Sequence, residues 1–422
     1  MAPGPNSSPA LAYLFERYPS FVQLFTLREV EGLHAWGLTP TVFSVRGKDQ
    51  GELAEFSPTM DAACQTFPDK AGLASEVREL AARRLIPKQV LPFIQEWGNQ
   101  PDKQRLYEAA WIGAKLRSQG VGHVHAHFAG LAARTGYWIK RFFGMSYSFT
   151  AHANDFLVRP KGSVDLETLF AEARLVVTVS DFSAALLKKR YPRTRRIVRV
   201  YNGMQVPEAP STDPGANPKK IVAVGRLVEK KGFEDLLRAC AALGDDDWTV
   251  EIVGDGPRQT SLLALRDNLG LTNRVKFLGS MTESQVTEVL HGGRVFALPC
   301  VQEQDGGMDN LPTVITEAMA AGLPVVSTRL AGVPEQVCDG FTGVLVQPSD
   351  IQGLTHALRK YLSSPNLASE HGRGGHRRAR EIFSLEQTIP HLASVFLKQT
   401  PTRLRWKLVR RKPLLVGAKI FP

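Results

Sequence analysis

The chain has 422 residues, of which 43% are hydrophobic and 22% charged. That is longer than one core usually serves, and the composition excludes a disordered or collagen-like chain. The net charge of +11 favours polyanionic partners, while the longest uncharged apolar stretches, such as Val295 to Val301, fall far short of the ~20 residues that span a bilayer.

From the N-terminus, short apolar runs alternate with longer helical patterns. Ala10 to Leu14, Thr41 to Val45, Val121 to Ala126, Ser146 to Ala151 and Leu175 to Val179 read as buried strands. Phe21 to Trp36, Gln104 to Gln119, Leu131 to Phe143 and Phe182 to Arg190 carry apolar residues at helical spacing. This alternation predicts βαβ units around a mostly parallel sheet. Val77 to Trp97, interrupted by Pro87 and Pro92, reads as a kinked helical insertion, either packed on the domain or forming a lip that faces membrane or acceptor. Pro207 to Pro218, with four prolines and Gly215, reads as an inter-domain linker.

Beyond it the alternation restarts. Lys220 to Val224, Trp248 to Val253, Val275 to Leu278, Val295 to Leu298, Pro324 to Ser327 and Gly343 to Val346 are strand-like. Helical patterns at Gly232 to Leu243, Pro257 to Leu269, Glu283 to Leu290 and Pro312 to Ala320 fill the gaps. Two doubly wound α/β halves are the simplest account: residues 1–206, then 207–384, with a helix near 385–400 returning to the first half and a basic tail at 401–422. Open α/β sheets bind ligands at the carboxyl ends of their strands, here in a cleft between the halves.

The second half carries most of the chemistry. Gly225-Arg226-Leu227-Val228-Glu229-Lys230-Lys231-Gly232 joins a strand to a helix. Arg226 and Lys231 there suit a diphosphate, one as a bidentate fork and one as a point charge, or they decorate an exposed loop. The Gly254 turn, Val253-Gly254-Asp255-Gly256-Pro257, is a tight βα turn or a close approach to phosphate or ribose. Phe277 and Leu278 end a strand that could border a base. A Gly- and Asp-rich loop from Glu303 to Asn310 then enters the helix opened by Leu311, Pro312 and Thr313, whose N-terminus is an anion site. Glu317, eight residues after Asp309 within an otherwise apolar helix, is costly to bury alone. It calls for a hydroxyl-rich ligand or a structural partner.

In the first half His125 and His127 alternate on one strand face. With no third ligand in view they read as strand-end histidines rather than metal ligands. His152 follows a strand with Asp155 close by, and is either a site residue or a satisfied structural histidine. The four cysteines, Cys64, Cys240, Cys300 and Cys338, form neither a zinc pattern nor a disulfide framework.

The string Asp309 to Pro324 (Asp-Asn-Leu-Pro-Thr-Val-Ile-Thr-Glu-Ala-Met-Ala-Ala-Gly-Leu-Pro) resembles the E-x7-E signature of the retaining glycosyltransferases of family 4. The Gly225 to Gly232 segment, the Gly254 turn and Gly332-Val333-Pro334-Glu335 resemble that family in order and spacing. Tyr18-Pro19-Ser20, Leu27-Arg28-Glu29, His125-Ala126-His127-Phe128 and Phe149-Thr150-Ala151-His152-Ala153-Asn154-Asp155 look like its branch that builds bacterial exopolysaccharides such as colanic acid. The resemblance covers about residues 10 to 400. Asp309 departs from it by one methylene, where the family has a glutamate.

The resemblance implies a GT-B architecture, two Rossmann-like doubly wound α/β domains facing a central cleft. It implies transfer of a sugar from a UDP- or GDP-sugar with retention and without a metal or other cofactor, since no Asp-x-Asp cluster stands in the donor region. Glu317 would hold the ribose hydroxyls, Asp309 the donor sugar, and Arg226 and Lys231 the leaving diphosphate. Gly225, Gly254, Phe277, Leu278, Asn310, Leu311, Pro312 and Thr313 would line the donor. His152 would approach the donor sugar, with His127 and Asp155 on the acceptor side. The acceptor would be a saccharide, polyprenyl-linked in this branch. The expected address is cytoplasmic, with the basic tail offering a contact to the anionic inner face of the membrane. No nucleic-acid module is recognisable. The competing readings are an inactive nucleotide-sugar-binding partner subunit, a GT-B epimerase and a phosphorylase.

Overall fold

A computed structural model describes residues 11–20, 23–47, 64–157, 164–244 and 247–397. The chain forms two compact units. The first takes the described residues up to Thr178, Leu187–Val200, and those from Thr388 onward; the second takes Val179–Leu186 and Tyr201–Gln387.

The first unit is built on a seven-stranded sheet in the order β3-β2-β1-β4-β5-β6-β7. Its strands are β1 (Ala12–Phe15), β2 (Thr41–Ser44), β3 (Cys64–Thr66), β4 (His123–His127), β5 (Ser146–Ala151), β6 (Leu175–Thr178) and β7 (Ile197–Arg199). Every pairing is parallel. The central strands β1, β4 and β6 are buried throughout, as strands covered on both faces must be. Strands β3 and β7 were not expected from sequence. Both are three-residue edge strands that bury little of themselves, so they carry no apolar run to signal them.

The second unit carries a six-stranded parallel sheet in the order β10-β9-β8-β11-β12-β13. Its strands are β8 (Lys220–Val224), β9 (Thr249–Val253), β10 (Val275–Gly279), β11 (Val295–Leu298), β12 (Val325–Thr328) and β13 (Gly343–Val346). One continuous core runs through it, including Ile221, Ile252, Phe296, Ile315, Met319 and Tyr361. Both units are therefore Rossmann-like. In each, strand order reverses once, between β1 and β4 and between β8 and β11, and such reversals are where doubly wound sheets bind ligands.

Two expectations change in the structure. Pro207 to Pro218 is not a free linker, because it is fastened to the second unit. The Asn217 amide donates to the carbonyls of His291 and Gly293 at 2.7 Å each, and Thr212 Oγ1 donates to His291 O at 2.8 Å. The insertion at Val77 to Trp97 is two helices, Lys70–Ala82 and Val90–Glu96, separated at Arg84 with a left-handed φ of 60°. Phe93 and Trp97 pack their rings on Trp138, at 5.6 and 5.2 Å between centroids, so this segment is seated on its own unit. The helix Leu385–Leu397 lays Phe396 against Tyr13 and His125, at 5.9 and 4.8 Å. The tail at 401–422 lies outside the described residues.

Candidate functional site

In the second unit the loops after β8 and β11 meet at the carboxyl edge of the sheet. Leaving β11, the chain turns out of the ladder, and two hydroxyls of β12 take up its carbonyls: Ser327 Oγ donates to Leu298 O at 2.6 Å, and Thr328 Oγ1 to Cys300 O at 2.5 Å. Val301 N then donates to Lys230 O at 3.0 Å, tying this loop to the one after β8. Gly232 lies in the same contact. Its φ is +69°, and a Cβ there would sit 1.8 Å from Pro299 O, so no side chain fits.

That junction brings Lys231 to Asp309. Lys231 Nζ lies 2.5 Å from Asp309 Oδ2, and Lys230 Nζ lies 3.5 Å from Asp309 Oδ1. The Lys231 and Asp309 side chains are each 14% exposed, so this is no solvated surface pair. Burial alone would depress the Lys231 ammonium, but the charges of Asp309 and Glu317 hold it above its ordinary value. Lysine 231 is therefore a standing cation. Lys230 was not singled out by sequence; its place beside Lys231 hid which of the two faced inward, and both do. Arg226, by contrast, is exposed.

Asp309 leads into the helix Thr313–Ala321, whose N-cap is Pro312 and whose N-terminus no side chain caps. Gln336 fixes that end from behind, donating to Pro312 O at 2.9 Å and to Thr316 Oγ1 at 2.7 Å. Glu317 is half-buried on the same helix. Asn310 is buried and its side chain accepts from Ser180 Oγ at 2.6 Å, while its carbonyl accepts from Gly332 N at 2.8 Å. Leu311 is buried with it. The lysine pair and the uncapped helix end form a positively biased corner suited to phosphate.

Gly254 and Gly225 serve the backbone first. Gly254 has φ +133°, and a Cβ on it would lie 2.0 Å from Gly225 O; its N–H donates to Gly279 O at 2.8 Å and Gly225 N–H to Val253 O at 2.9 Å. Phe277 and Leu278, half-buried on β10, pack on the core. Glu335, in the later Gly-Val-Pro-Glu string, accepts from the backbone N–H groups of Asp181 and Phe182 at 2.8 Å each and from Tyr201 Oη at 3.1 Å. It caps the helix Asp181–Arg190. The basic run from His371 to Arg380 is likewise used internally: His376 meets Pro207 O, Arg378 donates to the carbonyls of Glu335 and Gln336, and Arg380 donates to Glu208 O.

In the first unit the register of β4 on β5 sets His123 beside Ser146, His125 beside Ser148 and His127 beside Thr150. The first two histidines zip into those hydroxyls. His123 meets Ser146 and Ser148 at 2.8 and 2.7 Å, and His125 meets Ser148 and Thr150 at 2.7 and 2.9 Å. Burial pushes the His123 imidazole down to about 3 and holds His125 well below its usual range, so both are neutral.

His127 breaks the zipper. Its Nε2 lies 3.2 Å from Glu29 Oε1 and its Nδ1 3.4 Å from His152 Nε2. Glu29 Oε1 also accepts the Tyr13 hydroxyl at 2.5 Å. Burial, then the neighbouring His127, keeps His152 well below the usual imidazole range. Asp155 Oδ2 accepts the His152 backbone N–H at 2.8 Å, and burial lifts that carboxyl to about 7. Glu29 and Tyr13 were not anticipated as site residues, though Glu29 falls within the Leu27-Arg28-Glu29 string.

Glu29 supplies the third group that a metal reading of His125 and His127 lacked, since one ligand atom from each lies within 4.8 Å of the others. Both His125 nitrogens are nevertheless engaged by hydroxyls, and a closed zinc site needs free nitrogens at ~2.0–2.1 Å from the ion. The hydrogen-bonded reading fits better. All four cysteines are free, with Cys240 and Cys300 buried and Cys338 exposed. Among the described residues no helix is long and apolar enough to cross a membrane.

Comparison with known proteins bears on the second unit first. Residues 208–378 match the family described as glycosyl transferases group 1. The chain is 32% identical over 202 residues to WcaL of Escherichia coli K12, a protein assigned to colanic acid biosynthesis as a glycosyltransferase; this spans 47% of the chain and 50% of that relative. It is 35% identical over 159 residues to a GDP-mannose-dependent phosphatidylinositol monomannoside mannosyltransferase of Mycolicibacterium smegmatis, spanning 37% and 41%. The chain thus spans about half the length, or less, of these relatives. Among solved structures, HepE of Anabaena in complex with UDP-glucose superposes with a TM-score of 0.67 at 18% identity, covering 92% of this chain and 99% of that one. Sucrose-phosphate synthase of Thermosynechococcus elongatus superposes with a TM-score of 0.69 at 18% identity, covering 92% and 98%. At these identities the likeness establishes the fold, that of the GT-B glycosyltransferases.

Proposed function

Because the chain carries a glycosyl transferases group 1 domain in a GT-B fold, we propose that it is a retaining, metal-independent glycosyltransferase of polysaccharide biosynthesis. Its donor is a UDP- or GDP-sugar and its acceptor a saccharide, polyprenyl-linked, presented at the inner face of the membrane. The observation that carries this reading is the Lys231–Asp309 pair beside the uncapped start of the helix that bears Glu317.

The chemistry follows from charge. The anomeric carbon–oxygen bond to the β-phosphate breaks, and negative charge gathers on the diphosphate. The Lys231 ammonium, the helix N-terminus and Arg226 stabilise that charge more in the transition state than in the ground state, which lowers the barrier. A new bond forms from the acceptor oxygen to the anomeric carbon on the same face, and the acceptor proton passes to the leaving diphosphate. Glu317 accepts the ribose hydroxyls, and Asp309 serves both to hold Lys231 and to meet the donor sugar. Phe277 and Leu278 border the base. On the first unit His152 serves a sugar hydroxyl, with His127 and Asp155 behind it.

Thermal unfolding with UDP, GDP, ADP or TDP in the presence of EDTA tests the donor site on wild type and Glu317→Ala. A nucleotide at 100 times its Kd stabilises by about 2.7 kcal/mol. The expected result is a shift with one nucleotide that the variant loses. No shift with any nucleotide sinks the metal-free donor site. Donor consumption without acceptor would instead indicate an epimerase.

A further inference from the structure

The end of β4 holds a chain of four side chains, Tyr13–Glu29–His127–His152, in which each contact limits who can donate to whom. Burial keeps the Tyr13 hydroxyl protonated, so it donates its one proton to Glu29 Oε1 at 2.5 Å. The carboxylate has only lone pairs to offer the second group on that oxygen, His127 Nε2 at 3.2 Å, so Nε2 carries a proton. A His127 ring with that single proton has a bare lone pair at Nδ1. That atom lies 3.4 Å from His152 Nε2, so the proton between them belongs to His152. A neutral His152 has no second ring proton, and its Nδ1 is left as an acceptor.

We propose that His127 carries a single ring proton, on Nε2, and that it and Glu29 are positioning residues that lock His152 in the Nε2–H tautomer, presenting Nδ1 as a permanent hydrogen-bond acceptor for a sugar hydroxyl. The choice of hydroxyl as ligand rests on the glycosyltransferase reading above; the relay itself does not. The contrast within β4 supports it. His123 and His125 face hydroxyls, which donate or accept equally and impose no tautomer. Only His127, at the strand end, faces a carboxylate. The surroundings of His152 also favour one ring setting, with Phe128 and Phe25 rings 4.3 and 5.0 Å away and its backbone N–H held by Asp155. A carboxylate orienting a histidine through its far nitrogen is a general way to fix which ring atom is reactive.

The test is ring-nitrogen NMR on the full chain with 15N-histidine, His152 being assigned by the signals lost in His152→Gln. The expected wild-type spectrum places the His152 proton on Nε2 alone. Glu29→Gln keeps a carbonyl oxygen in place of Oε1 and retains that state, whereas Glu29→Leu loses it and gives a tautomer mixture. Amide spectra of each variant check that β4 and β5 remain folded; Tyr13→Phe, which leaves the carboxylate, serves as a milder second probe that keeps the Nε2–H form. A wild-type proton on Nδ1, a doubly protonated ring, or an unchanged single tautomer in folded Glu29→Leu overturns the proposal. None of these readouts needs a nucleotide, so a failed donor site and a failed relay are told apart.

Discussion

The β8–β11 edge and the β1–β4 edge occupy the same topological position in two separate sheets, yet they solve opposite electrostatic problems. The first keeps charge in place: Lys231 stays protonated against burial because Asp309 lies 2.5 Å away. The second removes charge: His123, His125 and His152 are all held neutral by burial, and Asp155 is lifted to about 7. The reversal of strand order supplies a place for a ligand. The side chains decide whether that place suits a polyanion or a set of hydroxyls. A fixed cation suits the former, and neutral donors and acceptors suit the latter without the desolvation cost of an unpaired charge.

The largest effect expected from this contrast is acid sensitivity that is greatest in the first unit, at β4 and β5. His123 falls from 6.5 to about 3 on folding, so the unfolded chain binds its proton first. Stability from this group is complete above pH 6.5 and is lost as pH falls towards 3, by roughly 4–5 kcal/mol at most. His125 acts in the same direction. Urea unfolding with hydrogen exchange at the β4 and β5 amides should show the loss, and His123→Gln should flatten it. An equal loss in the β8 and β11 amides would end the distinction between the two edges.

Next in size is Lys231→Ala. On the proposed donor reading, removing the cation beside the leaving diphosphate should lower kcat by about 10²–10³-fold, and it leaves Asp309 without its closest cation. Lys231→Arg should recover part of the rate, since it restores the charge but not the 2.5 Å geometry. A Lys231→Ala enzyme with unchanged kcat would move the phosphate contact to Lys230 or Arg226.

How much of this was legible in the sequence follows from the same contrast. Strands β8 to β13 and the helix after Asp309 announce themselves, because apolar runs and glycine turns are local signals. The Lys231–Asp309 pair was half legible: both residues were singled out, but as separate contacts to a donor, and only the folded loops bring them together. The edge strands Cys64–Thr66 and Ile197–Arg199 were invisible because nothing in them is strongly buried. Glu29 and Tyr13 escaped for another reason. They reach His127 from residues 98 and 114 positions earlier in the chain, and a carboxylate on a helix face and a tyrosine in a strand are individually ordinary. Pro207 to Pro218 misled, since proline density marks irregular backbone and says nothing of what that backbone is bound to.

The smallest effect is the most diagnostic of the neutral edge. Asp155 rises from 3.8 to about 7, with burial the main cause and the backbone donors of His152 and Ala129 opposing it. A raised carboxyl gives stability that is complete below the unfolded value and is lost as pH climbs through the folded one. Between pH 5 and 6.5 this opposes the contributions of His123, His125 and His152, which grow with pH there, so the carboxyl offsets only part of their slope. Asp155→Asn removes only the carboxyl part. Its stability relative to wild type should therefore grow by about 2 kcal/mol from pH 5 to pH 7, read from urea midpoints across that range. A constant offset would mean that Asp155 is ionised throughout, and that the His152 backbone N–H is held by a full negative charge rather than by a carboxyl titrating near neutrality.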